Sequence, residues 1–572
     1  MSPIYRIIQS SLPFFILYLV INAFIVYFVS QERCLYFWDS GGYWMMNREF
    51  TTLLRVNPLD AFKALIHSIR HDDYNWLPLL PLVPFNLMFG TGRLSYVLSI
   101  ANLYAFPTIL LFVFLFKSLM TRNRETGSTF LSFIPCVTLA FLPQFWIPIL
   151  HGWPDVVGVL IIAIIILITF EKPLERQSTL RLVAVGFLLA LAVMMRRWYA
   201  YWVVSFLLAL TLERLIYNFR EHGFKIKNYL PFAGKVFLIG TVSLLLFFSI
   251  ATPIAKRMLV TNYADIYSAF KTYDSVTSML MNYFGPTYMF FFALGTVQSL
   301  LNKKTQYISF FFLIQFITVV LLFARVQNFD RQHIYLIIPA LVFFVSLSIS
   351  DIIRRLRTAL YKTVLLLCFI GILGLNFSYG LIPEAPVYLK RLEPLFTRIR
   401  YYPVVRNDLN EMTALLNVVK DLCKTQNDSV YVLSSSTILN DDMLRTACLL
   451  GNQGMCRNIL GASHVDKRDG FPKQFLDAKY IILADPIQYH LRHEDQRVVG
   501  VLAARVGDPN SIGASYKKLP YEFRLDNNVK VYIYEKKKPF KCGDLDNLSQ
   551  IFLTYYPRKK NMFRIQDNLC RN

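Results

Sequence analysis

The sequence predicts a polytopic α-helical membrane protein with a C-terminal extracytoplasmic α/β domain, and three observations carry that reading. Of 572 residues, 55% are hydrophobic and 15% aromatic, with a mean hydropathy of +0.40. Soluble domains average roughly 45–50% apolar residues. Apolar runs of spanning length recur through the first two thirds, and beyond residue 383 the texture changes to short apolar segments between polar turns.

The N-terminal stretch MSPIYRIIQSSLPFFILYLVINAFIVYFV holds an apolar run long enough to span, with no small-residue cleavage site after it. It reads as a retained first span over 11–30. Further runs of about 17–25 apolar residues lie near 94–116, 129–150, 153–170, 180–196, 198–216, 235–254, 284–301, 306–324, 333–350 and 363–381, about eleven spans in all. The segment WLPLLPLVPFNLMF, 76–89, is apolar but carries three prolines. Its fourteen residues cover only about 21 Å of a ~30 Å hydrocarbon core.

Charge decides the side. With 76–89 not crossing, five basic groups fall on the N-terminal side: Lys117, Arg122 and Arg124; Lys172, Arg176 and Arg181; Arg214, Arg220, Lys225, Lys227 and Lys235; Lys303 and Lys304; and Arg354, Arg355, Arg357 and Lys362. The positive-inside bias makes that side cytoplasmic. An odd number of spans then divides the chain into a membrane module, 1–383, and an outer domain, 384–572. The stretch 31–93 becomes a large first outer loop, with patterns at 42–56 and 59–70 amphipathic enough to lie along the interface. In the outer domain, 429–436, 479–485 and 529–536 read as strands, and 406–422 and 493–505 as helices.

The formal charge of +23 reflects Lys and Arg placed between apolar stretches, and no RNA- or DNA-binding motif appears. Cytoplasmic loops facing anionic lipid account for it, without a nucleic-acid partner. Eight Cys without a CxxC pair give no metal or redox motif. Cys34, Cys423, Cys448, Cys456, Cys542 and Cys570 fall on the outer side, where disulfides are permitted and free thiols equally so; Cys448–Cys456 is the pair to test.

Unusual polar residues gather at the outer face. The first loop supplies Asp39, in WDSGGYW, and RHDDYN with Asp72, Asp73 and Asn75. Later turns supply HGWPD with Asp155, MMRRWYAYW with Arg196 and Arg197, and RVQNFDRQHIY with Arg331, His333 and Tyr335. Charges at span ends are costly unless paired and mark a candidate site. Plainer readings stand beside this one: both arginines reaching lipid phosphate, Asp155 capping a helix, and Asp72 and Asp73 in a solvated loop. His490 and His493 have an i, i+3 spacing that metal sites use, although a solvated helix face explains two His more simply. Arg binds phosphate through a planar charged fork, aromatics suit sugars and headgroup depth, and a carboxylate can take the proton of an attacking hydroxyl. That chemistry fits glycosyl transfer from a polyprenyl-phosphate sugar.

The ordered set WDSGGYW, NWLPLLPL, GWPD, MRRW and DRQHIYLIIPAL, followed by an outer α/β domain, resembles the GT-C superfamily of integral-membrane glycosyltransferases. It is most similar to the branch containing bacterial aminoarabinose transferases and protein O-mannosyltransferases. The resemblance implies an inverting transferase of a bacterial inner membrane, acting as a monomer without cofactor or metal. Its substrates would be a polyprenyl-phosphate sugar and a glycan, lipid or protein acceptor. It makes Asp39 the catalytic base. Arg196 or Arg197, with Arg331, His333 and Tyr335, would neutralise the leaving phosphate. Tyr43, Asp72, Asp73, Asn75 and Asp155 would line the substrate, and Trp38, Tyr43 and Trp44 would anchor the loop at the interface. Where the aminoarabinose relatives carry Lys before the Pro-rich segment, this chain has Tyr74-Asn75-Trp76. A polymerase or ligase using a pyrophosphate lipid, a lipid or sugar transporter, and an inactive lipid-binding relative are the other readings. No internal repeat of the kind transporters show is visible.

Overall fold

The computed structural model describes residues 3–122, 131, 133–223, 227, 229–271, 275–423, 428–450 and 458–565. The chain divides into two compact units. One comprises Met1–Ser30, Met46–Thr261 and Tyr273–Pro403; the other comprises Gln31–Met45, Asn262–Thr272 and Val404–Asn572.

The first unit is helical and has the make-up of a multi-pass membrane protein. Leu12–Gln31, Arg93–Met120, Tyr199–Glu221, Leu230–Ile250, Gln306–Ala324 and Ala359–Leu381 are each long and apolar enough to cross a bilayer. Other expected spans fall short of that standard for visible reasons. Val156–Glu171 and Thr179–Met195 have 16 and 17 residues. Val276–Leu301 is interrupted at Gly285, with φ 76°, just before Pro286. Ile338–Arg355 ends on Asp351, Arg354 and Arg355. The expected span 129–150 is not one helix but two, Ile134–Ala140 and Pro143–Leu150. Pro143 disfavours helical backbone at the residue before it, and Leu142 is extended at φ −86°, ψ 109°.

Segment 76–89 forms a 3-10 turn, Leu77–Leu82, running into a short helix, Val83–Phe89. The amphipathic patterns of the first loop are helices Trp38–Val56 and Pro58–His71. The second buries Ala61, Leu65 and Ser68 and leaves Leu59, Phe62 and Ile66 exposed along the other side. Gly295 lets Val276–Leu301 approach Ile338–Arg355 closely, since a Cβ there would lie 1.9 Å from the Phe344 carbonyl oxygen.

The second unit carries a five-stranded sheet. Its strands are β1 (Val430–Leu433), β2 (Ile459–Gly461), β3 (Tyr480–Asp485), β4 (Tyr516–Leu525) and β5 (Val529–Lys536), in the order β2-β1-β3-β5-β4. β2, β1 and β3 are parallel, and β5 and β4 continue antiparallel. Met412, Leu415, Val419, Met443 and Leu444 cover the face of Val430, Val432 and Ile482. Val498, Leu502, Leu548 and Phe552 cover the face of Tyr431, Leu433 and Ile481. Buried on both faces, β1 and β3 are near-continuous apolar runs, which is why they are legible in the sequence.

Candidate active site

In the helical unit, HGWPD makes a tight turn between Pro143–Leu150 and Val156–Glu171. Gly152 takes φ 79°, and a Cβ there would come within 2.3 Å of Arg93 Nη1. Arg93 opens helix Arg93–Ile100 and donates to the Leu150 carbonyl at 3.1 Å, while the Tyr96 hydroxyl donates to the Gly152 carbonyl at 2.9 Å. The His151 ring stacks on Trp153, centroids 4.5 Å apart, and lies 3.8 Å from the Tyr401 ring. Its Nε2 meets Arg331 Nη1, and the Arg331 guanidinium sits 5.6 Å from the Tyr401 ring centre. Among the described residues no acid forms an ion pair with Arg331.

The arginine doublet has a different setting. Asp155 caps no helix N–H; its Oδ1 accepts from Arg196 Nε at 2.5 Å, with side-chain exposures of 0% and 6%. A charge so deeply buried needs such a partner. Arg196 also lies over the Tyr74 ring at 4.5 Å. Arg197 pairs with Asp73 Oδ2 at 2.6 Å, and Arg257 meets the other oxygen of Asp73 at 3.2 Å. Asp72 ends helix Pro58–His71 and is exposed. Asn75 is buried and spans two backbones, donating to the Met194 carbonyl at 2.8 Å and accepting from Leu77 N–H at 2.9 Å.

His333 accepts from Asp330 N–H through Nδ1 at 3.1 Å and packs on Phe323 at 4.6 Å. The Tyr335 hydroxyl donates to the Phe145 carbonyl at 2.8 Å, and the residue is 0% exposed. Both side chains are buried in the helical unit, and Arg331 is the member of DRQHIY whose charge faces other polar rings.

Asp39 and Tyr43 belong to the sheet-bearing unit. Asp39 lies in the first turn of helix Trp38–Val56 and is half-buried. A carboxylate is favoured there by the partial positive charge of the helix start. Tyr43 is 0% exposed and Trp44 6%, so both are protein-packed, contrary to the expected role of ring anchors in the interface. His490 corrects its expectation too. It lies on no helix but in the loop after β3, half-buried, while His493 opens a 3-10 turn. Among the described residues no group of three or more His, Cys, Asp or Glu is arranged to hold a metal ion. Cys448 is disulfide-bonded, and Cys456, with which it makes the pair to test, lies outside the described residues.

Four residues of the cationic cluster escape sequence reasoning. Arg93 resembles any basic residue flanking a span. Arg257 lies in helix Thr252–Val260, 184 residues from the acid it meets. Tyr401 is one aromatic among many, and His151 is visible only as part of HGWPD. The positive φ of Gly152, which wraps the turn around Arg93, is the local signal that joins two of them.

A cationic patch of Arg331 and Arg93 beside an imidazole and a tyrosine ring can hold an anion such as a phosphate. The chain is similar to ArnT from Cupriavidus metallidurans bound to undecaprenyl phosphate, at 12% identity and TM-score 0.49, covering 93% of this chain and 98% of that one. The apo state of that protein gives 14% identity and TM-score 0.47 over 92% and 98%. The archaeal oligosaccharyltransferase AglB from Archaeoglobus fulgidus, in complex with an inhibitory peptide and a dolichol-phosphate, is similar at 13% identity and TM-score 0.43 over 90% and 73%. No family model matches the chain, and no curated protein does.

Proposed function

We propose that the chain is an inverting glycosyltransferase that moves a sugar from a polyprenyl-phosphate donor to an envelope acceptor on the outer side of a bacterial inner membrane. The observation that carries the reading is the Arg331 patch. Its guanidinium, seated on His151 and Tyr401 beside Arg93 without an acid partner among the described residues, offers charge to a phosphate. It does so in a unit apolar enough to meet a lipid substrate at membrane depth. Arg196 and Arg197, each met by a carboxylate, would organise the neighbouring turns and lend longer-range positive charge.

Asp39 would act as general base. The acceptor hydroxyl oxygen attacks the anomeric carbon and its proton passes to the Asp39 carboxylate. The bond from that carbon to the phosphate oxygen breaks, and polyprenyl phosphate leaves with the electron pair. Charge grows on the phosphate during this step, and fixed cations assist most where charge develops. The two substrates, the acid and the cations balance the reaction.

Full-length protein in detergent, given a panel of radiolabelled polyprenyl-phosphate sugars and crude envelope acceptor, tests this directly. Wild type is expected to transfer sugar, or slowly hydrolyse donor, while Asp39→Asn and Asp39→Ala lose both activities and still retain donor. A base contributes about 10²–10⁴-fold, which sets the loss expected. Undiminished turnover by Asp39→Asn overturns the assignment of the base, and flipping of labelled lipid without turnover overturns the transferase.

A further inference from the structure

In the sheet-bearing unit, the segment that carries Asp39 is built into the outer domain's own core. Arg33 N–H donates to the Val404 carbonyl and Arg406 N–H to the Arg33 carbonyl, each at 2.9 Å. Leu35 and Phe37 pack against the cluster of Met412, Val432 and Met443. Gly41 sits so close to Tyr36 that a Cβ would lie 2.9 Å from its carbonyl oxygen. Between these fixed points Trp38 takes φ 47°, a left-handed backbone that a non-glycine residue keeps only where its surroundings hold it there.

The surroundings come from the carboxyl ends of the parallel strands. The chain leaves β1 toward β2 over one face of the sheet, and leaves β3 toward helix Arg497–Gly507 on the other. The crevice between the two strand ends is where open α/β sheets receive ligands. Here Trp38 of the same chain lies against the loops that follow β2 and β3, with its ring centre 4.8 Å from His490 and 6.1 Å from His464.

Both imidazoles are oriented from below. Ser435 Oγ lies 2.9 Å from His490 Nδ1 and 3.3 Å from His464 Nδ1. Gln496, 0% exposed, uses its whole amide. Its Oε1 accepts from the N–H groups of His490 and Leu491, and its Nε2 reaches the His464 carbonyl at 3.1 Å and His490 Nδ1 at 3.0 Å. His490 Nδ1 also lies 3.3 Å from the Ser435 carbonyl oxygen. Burial and then the neighbouring His464 push the His490 imidazole down to about 4, which keeps the ring neutral.

We propose that His490 is a positioning residue for Asp39: its ring, set by Ser435 and Gln496, holds Trp38 in the left-handed turn from which the Asp39 carboxylate is presented. The effect on turnover rests on Asp39 being the base; the effect on the turn does not. Loss of the ring lets the turn relax, and a displacement of about 1 Å at a reacting group costs on the order of 100-fold.

The test uses full-length wild type, His490→Ala, His490→Asn, His490→Phe and Asp39→Asn, with Arg492→Ala as a control in the same loop. Two readouts are amide hydrogen exchange over 36–46 and the separate kcat and KM of whichever labelled polyprenyl-phosphate sugar wild type uses. His490→Ala and His490→Asn should exchange at least about tenfold faster over 36–46. Their kcat should fall by about 10–100-fold with donor KM unchanged. His490→Phe, which keeps a ring, should recover most of both, and Arg492→Ala should resemble wild type. Unchanged exchange in His490→Ala overturns the proposal, as does rescue by Asn but not Phe. Faster exchange with undiminished kcat overturns the link to catalysis. Should Asp39→Asn stay active, the base assignment fails separately, and exchange alone then judges whether His490 holds the turn.

Discussion

At the residue scale, the arginine doublet shows what a sequence discloses and what it withholds. Two adjacent arginines in a tight turn at a span end announce a site, but not which charge each one meets. Arg196 turns to Asp155, 41 residues earlier, and Arg197 to Asp73, much earlier still. The pairing follows from packing that no local pattern encodes. Its energetics are asymmetric: removing one member strands a buried charge, whereas removing both leaves only a cavity and some lost packing. Asp155→Ala is therefore expected to destabilise the protein by about 3–5 kcal/mol. Adding Arg196→Met to it should recover a large part of that loss. Thermal unfolding of the single and double variants in one detergent checks this, and simple additivity of the two single effects would show that the pair contributes nothing as a pair.

At the element scale, apolar length and charge spacing make most helices of the first unit legible, because a helix in lipid must satisfy its own backbone and carry a long apolar run. The break within 129–150 was also available, in Pro143, but an uninterrupted hydropathy run hides it. In the sheet-bearing unit β1, β3 and β5 are readable from their apolar content. β2 is only three residues long. β4 is an edge strand, YKKLPYEFRL, with Lys side chains, Pro520 and a register shift between Lys518 and Glu522. Such features protect an edge from further pairing and also erase its signature. Helix–helix contacts leave a smaller trace, the glycine. At Gly295 an added Cβ would meet backbone atoms of Phe344 at 1.9 and 2.7 Å, which cannot rotate away. Gly371, in Ala359–Leu381, has nothing within 4 Å. Gly295→Ala should thus cost about 1–3 kcal/mol or more through forced separation of the two helices. Gly371→Ala should be neutral or stabilising by up to about 1 kcal/mol from helix propensity. A melting temperature unchanged by Gly295→Ala would mean that the two helices are not packed at Gly295.

At the scale of the whole molecule, the proposed chemistry depends on one topological choice, whether 76–89 crosses the membrane. The apolar helical stretch Leu77–Phe89 has thirteen residues, about 20 Å at 1.5 Å per residue, and falls short of a ~30 Å core. Its opening turn is a 3-10 segment containing Pro81, so even that length is not continuous α-helix. Were it to cross, Lys303, Lys304, Arg354, Arg355 and the other basic loops would move outside, against the positive-inside bias. If it does not cross, the N-terminus and those loops are cytoplasmic and the outer domain, with the segment carrying Asp39 packed into it, is extracytoplasmic. Alkaline phosphatase fused to the C-terminus of the full chain is then expected to be active, since it requires export. Fused after Lys304 it should be inactive, and green fluorescent protein at the same site should be bright. The opposite pattern would place the outer domain in the cytoplasm, away from any envelope acceptor. The transfer reaction proposed for Asp39 would then have no acceptor on its side of the membrane.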